Sequence, residues 1–259
     1  MPTSKNNSGQ LTFWDHLDQL RGCIVRCLAV ALLLGLVVFA FKEPVFSFIL
    51  APKDSQFITY IWLSDIAGIS LEPFSIDLIN TGLAQQFMVH LKVALALGFV
   101  LASPYVLFML FRFVSPALYD NERNATAKFI GFGYIMFLLG IAINYFIIFP
   151  LTLRFLGTYQ VDTEVRNLIS LESYISTLLI LSLLMGCMFE MPALSWLLAK
   201  IGILKAEFMR RYRRHAFVAI LVIAAVITPT ADIFTLSVVA IPLYLLYEFS
   251  IFIVKVTRN

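Results

Sequence analysis

The chain has 259 residues, 60% hydrophobic and 14% charged, with a mean hydropathy of +0.88 and a formal net charge of +3. A soluble domain carries about a quarter charged residues, so this composition excludes an ordinary soluble globular domain. The apolar residues come in long runs without period-two alternation, which also excludes a membrane barrel, whose strands alternate. Lipid offers backbone groups no partners outside a helix or a closed barrel, so the expected class is an all-α membrane protein.

Residues 1–20 are mostly polar, and the first apolar run lacks a small-x-small cleavage site. It is therefore expected to stay as a membrane anchor and not to be removed as a leader. Thr12-Phe13-Trp14-Asp15 reads as a capping box opening a helix. Phe13, Leu17, Leu20 and Ile24 then share one face, with Asp15, His16, Asp18, Gln19 and Arg21 mainly on the other. This predicts an N-terminal amphipathic helix along the membrane surface, leading into a first span at about 24–41.

Residues 42–86 are too polar to span, and they hold Pro44, Pro52, Pro73 and five acids. Short outer-loop helices are expected there. The second span is expected at about 87–110, with Pro104 inside it. A short polar loop follows and contains Arg112, Phe113, Glu122 and Arg123. The third span is expected at about 129–149, ended by Pro150, and the fourth at about 173–199, with Glu190 and Pro192 inside it. The basic segment Lys200 to Arg214 precedes a fifth span of only about 14 residues, at 215–228. A Thr-Pro turn leads to a sixth span at about 233–254, interrupted by Pro242. Spanning takes about 20 residues, so the last two spans read as short. Either the bilayer thins there or neighbouring helices cover their ends.

One membrane side can be assigned the N-terminus, the 112–128 loop, the 200–214 loop and the C-terminus. That side then holds about 14 of the 19 Lys and Arg. The positive-inside rule makes it cytoplasmic. The expectation is therefore one polytopic domain over 1–259, with six spans and both termini inside.

No P-loop, HExxH or GxSxG motif is present, so no enzyme activity is expected. Cys23, Cys27 and Cys187 lie at or inside apolar runs, and no further Cys or His completes a ligand set. They read as small helix residues, with no metal and no cofactor. The basic run at 210–214 reads as anchoring to anionic lipid and not as a nucleic-acid site. Glu190 lies about nine residues from the end of its span, roughly 13 Å deep. A carboxylate at that depth is costly unless it faces a cavity or a partner. The alternative is a protonated, hydrogen-bonded structural Glu.

Several short motifs occur in order along these spans. They are His16-Leu17-x-x-Leu20-Arg21, Pro104-Tyr105, Phe113-x-x-Pro116-Ala117-Leu118-Tyr119-x-x-Glu122-Arg123, Phe189-Glu190-x-Pro192, Thr228-Pro229-Thr230-x-Asp232, Ile241-Pro242-Leu243 and Leu246-Tyr247-Glu248. Together they make the chain resemble the TatC family of the twin-arginine translocase nearly end to end. The resemblance implies a receptor in the bacterial cytoplasmic membrane. It would bind signal peptides with paired arginines and, with TatA- and TatB-type single-span partners, move folded proteins using the proton-motive force. Self-association in a larger complex is also implied.

The resemblance assigns signal-peptide binding to Glu122 and Phe113 and to the N-terminal helix. There the family's usual Glu is replaced by Gln19, and an often basic position by Cys23. Asp18 or Asp15 is then a candidate second carboxylate, although Asp18 is rotated about 100° from Gln19. Arg21 fits as an orienting or surface-anchoring group. As a plain loop charge, Glu122 would instead pair with Arg123 or Arg112. Phe87, Pro52 and Asp232 match functional family positions, with packing, turn and helix-capping roles as their alternatives. Thr228 fits a partner-binding patch whose usual Gln is Leu236 here. A proton-coupled small-solute transporter with Glu190 as proton carrier is the alternative function, but no internal repeat of the transporter kind is seen.

Overall fold

The computed structural model describes residues 13–67, 74, 76–114, 123–160, 162, 167–228 and 232–258. Among these the regular structure is helical apart from one two-residue parallel bridge, with turns and loops between the helices. The helices are α1 (Phe13–Ala40), α2 (Lys42–Leu50), a 3-10 turn (Ala51–Lys53), α3 (Ile58–Ala67), α4 (Gln85–Val114) and α5 (Arg123–Ile143). There follow a π turn (Asn144–Ile148), α6 (Phe149–Thr158), α7 (Leu171–Phe189), α8 (Met191–Lys200), α9 (Ala206–Arg211), α10 (Arg213–Ile227) and α11 (Ile233–Arg258). Strands β1 (Leu78–Ile79) and β2 (Ile169–Ser170) join the two long loops in parallel.

Among the described residues, five helical stretches are long and apolar enough to cross a membrane: Leu17–Ala40, Gln85–Phe113, Ile130–Thr158, Leu171–Lys200 and Ile233–Thr257. The fifth expected span is helical as α10, but its 15 residues reach only about 22 Å. That is less than the roughly 30 Å hydrocarbon core.

Three sequence expectations change here. The amphipathic N-terminal segment is not a separate helix. It forms the opening turns of an unbroken 28-residue α1, because Gly22 alone, at about 1 kcal/mol, does not break a helix so rich in Leu and Val. The last span is not short: α11 runs 26 residues through Pro242. Pro242 removes one backbone bond, but continuing the helix buries Leu243, Leu246, Ile251 and Val254.

Pro150 does not end the third span either. The helix widens into the π turn and resumes as α6. Pro150 has no N–H for the Phe146 carbonyl four residues earlier, and that carbonyl instead accepts the Thr59 hydroxyl of α3. The fourth expected span lies on the stretch Leu171–Lys200, and within it the helix turns at Glu190, two residues before Pro192, which divides α7 from α8.

Helices α1 and α4 are antiparallel and touch through small residues. A Cβ at Gly98 would lie 2.6 Å from the Ala31 oxygen and from the Gly35 backbone, so only glycine allows this approach. Helix α5 packs antiparallel on α7, with Gly140 against Met185 and Phe189, and Phe137 against Gly186. One core cluster joins Phe149, Tyr174, Ile175 and Leu181 to Ile49 and Ile76 of the first long loop. Another packs Met185 and Phe189 against Val239 and Leu243 of α11.

Tyrosines fix that first loop to the bundle. The Tyr174 hydroxyl donates to the Ile49 carbonyl at 2.9 Å, and Tyr145 donates to the Phe48 carbonyl. The Tyr60 hydroxyl lies 3.0 Å from both the Pro52 and Pro150 carbonyls, and its single hydrogen serves one at a time.

Candidate functional site

The antiparallel α1–α4 seam sets which side chains meet at its far end. Outward from the Gly35–Gly98 contact, the opening turns of α1 fall beside the last turns of α4. There a cavity of about 580 Å³ brings together Asp18 and Gln19 from α1 with Phe113 from α4. Phe113 is half-buried, whereas Asp18 and Gln19 are exposed. Arg21 is exposed on α1 but is not part of the cavity wall. Glu122 lies outside the described residues.

Gly22, Cys23, Arg26, Met109 and Arg112 complete the wall, and sequence reasoning did not single them out for it. A signal was present: 18, 22 and 26, and likewise 19, 23 and 26, recur at helical spacing on one face. Cys23 and Cys27 lie one turn apart on α1, the first buried and the second half-buried. In charge, this wall holds one carboxylate and two guanidiniums. It offers an arginine-bearing ligand a carboxylate fork at Asp18 and an amide acceptor at Gln19. Arg26 and Arg112 repel such a ligand unless further carboxylates come between them.

Glu190 occupies a second cavity, of about 290 Å³, between α4, α5 and the α7–α8 turn. The turn leaves its backbone N–H on the Cys187 carbonyl at 3.2 Å, and its own carbonyl accepts from Leu194 at 2.9 Å. The carboxylate reaches α5 because residue 133 is glycine: a Cβ there would lie 2.9 Å from Oε2. Oε1 is buried with no hydrogen-bond partner among the described residues. The cavity walls are mainly apolar, including Phe99, Leu107, Phe137 and Leu194. Ser103 also lines it, with its hydroxyl donated to the Val100 carbonyl at 2.7 Å. An acceptor with no donor in an apolar cavity is costly, and it is chemically suited to meet a polar group on an incoming chain.

The remaining candidates lie apart from both cavities. Pro52 is buried in the 3-10 turn with its carbonyl facing Tyr60. Phe87 is 57% exposed at the start of α4, edge-on to Phe39. Asp232 caps α11, its Oδ1 accepting the Thr235 N–H at 2.7 Å. Thr228 ends α10 with a buried Oγ1 that has no partner among the described residues. Leu236 is half-buried against the α7–α11 core.

The family profile described as "Sec-independent protein translocase protein (TatC)" matches residues 15–242. A relative of that description from Blattabacterium sp. subsp. Periplaneta americana (strain BPLAN) is 33% identical over 258 residues, 96% of this chain and 97% of its own. The Bacillus subtilis (strain 168) protein TatCy is 34% identical, covering 95% and 89%. A crystal structure of the twin arginine translocase receptor TatC superposes with a TM-score of 0.76 at 32% identity, covering 94% of this chain and all of that one.

Proposed function

Because the chain belongs to the TatC family of Sec-independent protein translocase proteins, we propose that it binds the paired arginines of a signal peptide in the cavity between α1 and α4. The observation that carries this reading is the meeting of Asp18, Gln19 and Phe113, from two segments about 95 residues apart, on one cavity of about 580 Å³. Asp18 takes one guanidinium as a bidentate pair, Gln19 accepts a hydrogen bond from the second, and Phe113 lies against the peptide's apolar part. Glu122, which follows α4 in sequence, supplies the further carboxylate the site needs. Arg26, Arg112 and Arg21 hold the acidic groups in register. No bond is made or broken; the site recognises, and the energy for movement comes from the proton-motive force.

On this reading the cavity faces the cytoplasm, as do both termini, and α10 is a sixth, short crossing. Glu190 then offers its unpartnered oxygen to a polar group of the cargo's signal peptide or of a TatA- or TatB-type partner helix. Phe87, Pro52, Asp232, Thr228 and Leu236 serve partner contact and self-association. The solute-transporter alternative draws no support from the family.

A photocrosslinker at position 19 or 122 tests the proposal. It captures a twin-arginine peptide and spares a twin-lysine control, since the ammonium lacks the planar fork. Equal capture of both peptides counts against specific recognition.

A further inference from the structure

Helices α4 and α7 run side by side in the same direction, and their facing stripes form a furrow. On α4, Lys92, Phe99, Ser103 and Val106 recur at i, i+7, i+11 and i+14; on α7 and its continuation, Glu172, Leu179, Leu183, Cys187 and Glu190 recur at i, i+7, i+11, i+15 and i+18. At one end of the furrow Lys92 Nζ pairs with Glu172 Oε1 at 2.7 Å, and Gln85 donates to Glu172 Oε2 at 3.4 Å. Both charged side chains stay about half exposed, at 46% and 49%.

Their surroundings are those of a lipid contact: Phe87, Met88, Leu91 and Leu95 on α4 are all exposed. Lys92 is rooted about 10 Å along α4, yet it reaches back to the first turn of α7. One to two turns inward of the ion pair lies an apolar cavity of about 230 Å³, walled by Ala96, Val100, Leu179 and Leu183 of α4 and α7 and closed behind by α2 and α5, with Phe48 and Leu138 among their residues.

We propose that this end of the furrow is a binding site for one phospholipid whose head group carries both a phosphate and a primary ammonium, as in phosphatidylethanolamine. The deeper Lys92 takes the phosphate, the shallower Glu172 takes the ammonium, and an acyl chain occupies the apolar cavity. A four-charge ring leaves neither side chain unpaired in lipid. A glycerol head group gives Glu172 no cation, and a choline head group gives it no N–H.

Native mass spectrometry of the detergent-purified full chain, titrated with the three lipids of matched acyl chains, reads the preference. The ethanolamine lipid is expected to bind about tenfold more tightly than either other, the scale of one charge-assisted contact. Lys92→Gln and Glu172→Gln are each expected to abolish that preference. The swap Lys92→Glu with Glu172→Lys keeps the ion pair but inverts its depth order, and it is expected to lose the preference while unfolding at the parent temperature. Equal binding of the three lipids, preference for the glycerol lipid, or an unchanged ethanolamine preference in the charge variants overturns the proposal. The head-group series on the unaltered protein decides the matter even where a variant fails to fold.

Discussion

Gly98→Ala tests the link between helix packing and the α1–α4 cavity. The added Cβ would sit 2.6 Å from the Ala31 oxygen and from the Gly35 N and Cα, whereas ordinary contact begins at 3.4 Å. These obstacles are backbone and cannot rotate away, so the two helices must part by about 0.8 Å, the difference between those distances. Overpacking of this kind costs about 1–3 kcal/mol. At roughly 2–4 °C per kcal/mol for a chain of this size, the unfolding midpoint should fall by about 2–12 °C.

The same parting reaches the cavity, about 21 Å along α4, because helices are stiff. Hydrogen bonds tolerate only about 0.5 Å of stretch, so contacts that bridge α1 and α4 should weaken by roughly tenfold in affinity. Thermal unfolding in detergent and twin-arginine peptide titration measure the two effects. Gly131→Ala is the control: nothing lies within 4 Å of its Cβ, so it should be neutral or slightly stabilising. A Gly98→Ala protein that unfolds at the parent midpoint, or a control more damaged than it, refutes the reasoning.

Other outcomes follow from the same geometry. Glu190→Ala should insert and fold yet export no cargo in a complemented export assay; full activity sinks the role given to that carboxylate. Gly133→Ala places a Cβ 2.9 Å from Glu190 Oε2 and should displace the carboxylate. Export should fall by several-fold while the unfolding midpoint moves little, because the obstacle is a side-chain end. Tyr60→Phe removes the donor serving two carbonyls and should cost about 1–2 kcal/mol.

Burial pushes the Tyr60 phenol above its ordinary range, opposed in part by Arg154. Its neutral form is thus favoured in the folded state. Stability is level below the ordinary tyrosine value of about 10 and falls as pH rises past it. Tyr60→Phe should therefore lose stability less steeply on the alkaline side in a pH series of unfolding midpoints. An alkaline limb identical to the parent's contradicts the assignment.

The fold was legible in the sequence wherever apolar runs were long. The helices α1, α4 and α11 extend beyond their expected spans but lie on them. Misreadings came from local rules overruled by distant partners. Pro150 reads as a terminator because its own neighbours leave the Phe146 carbonyl bare; the Thr59 hydroxyl that takes it lies 87 residues away. Pro242 reads as an interruption because the core packing of α11 is invisible in its own segment.

The α1–α4 cavity shows the same limit. Asp18, Gln19 and Phe113 could be named from motifs, but their meeting depends on Gly35 and Gly98, which no motif joined to them. Cys23, Arg26, Met109 and Arg112 share their faces and carried a periodicity that went unread. Glu190 was legible as a costly charge; the glycine that admits its carboxylate was not.

The Thr59 contact also bears on the order of synthesis. The donor lies in α3, and its acceptor is made 87 residues later. When Pro150 leaves the ribosome, the hydroxyl for the bare carbonyl already exists, as does the Tyr60 hydroxyl, which can donate to the Pro150 carbonyl in place of that of Pro52. The bend between α5 and α6 can therefore close as it is made, against a loop already on hand. A circular permutation that moved residues 1–67 to the end of the chain would leave that bend waiting, with a bare carbonyl in the membrane until synthesis finished.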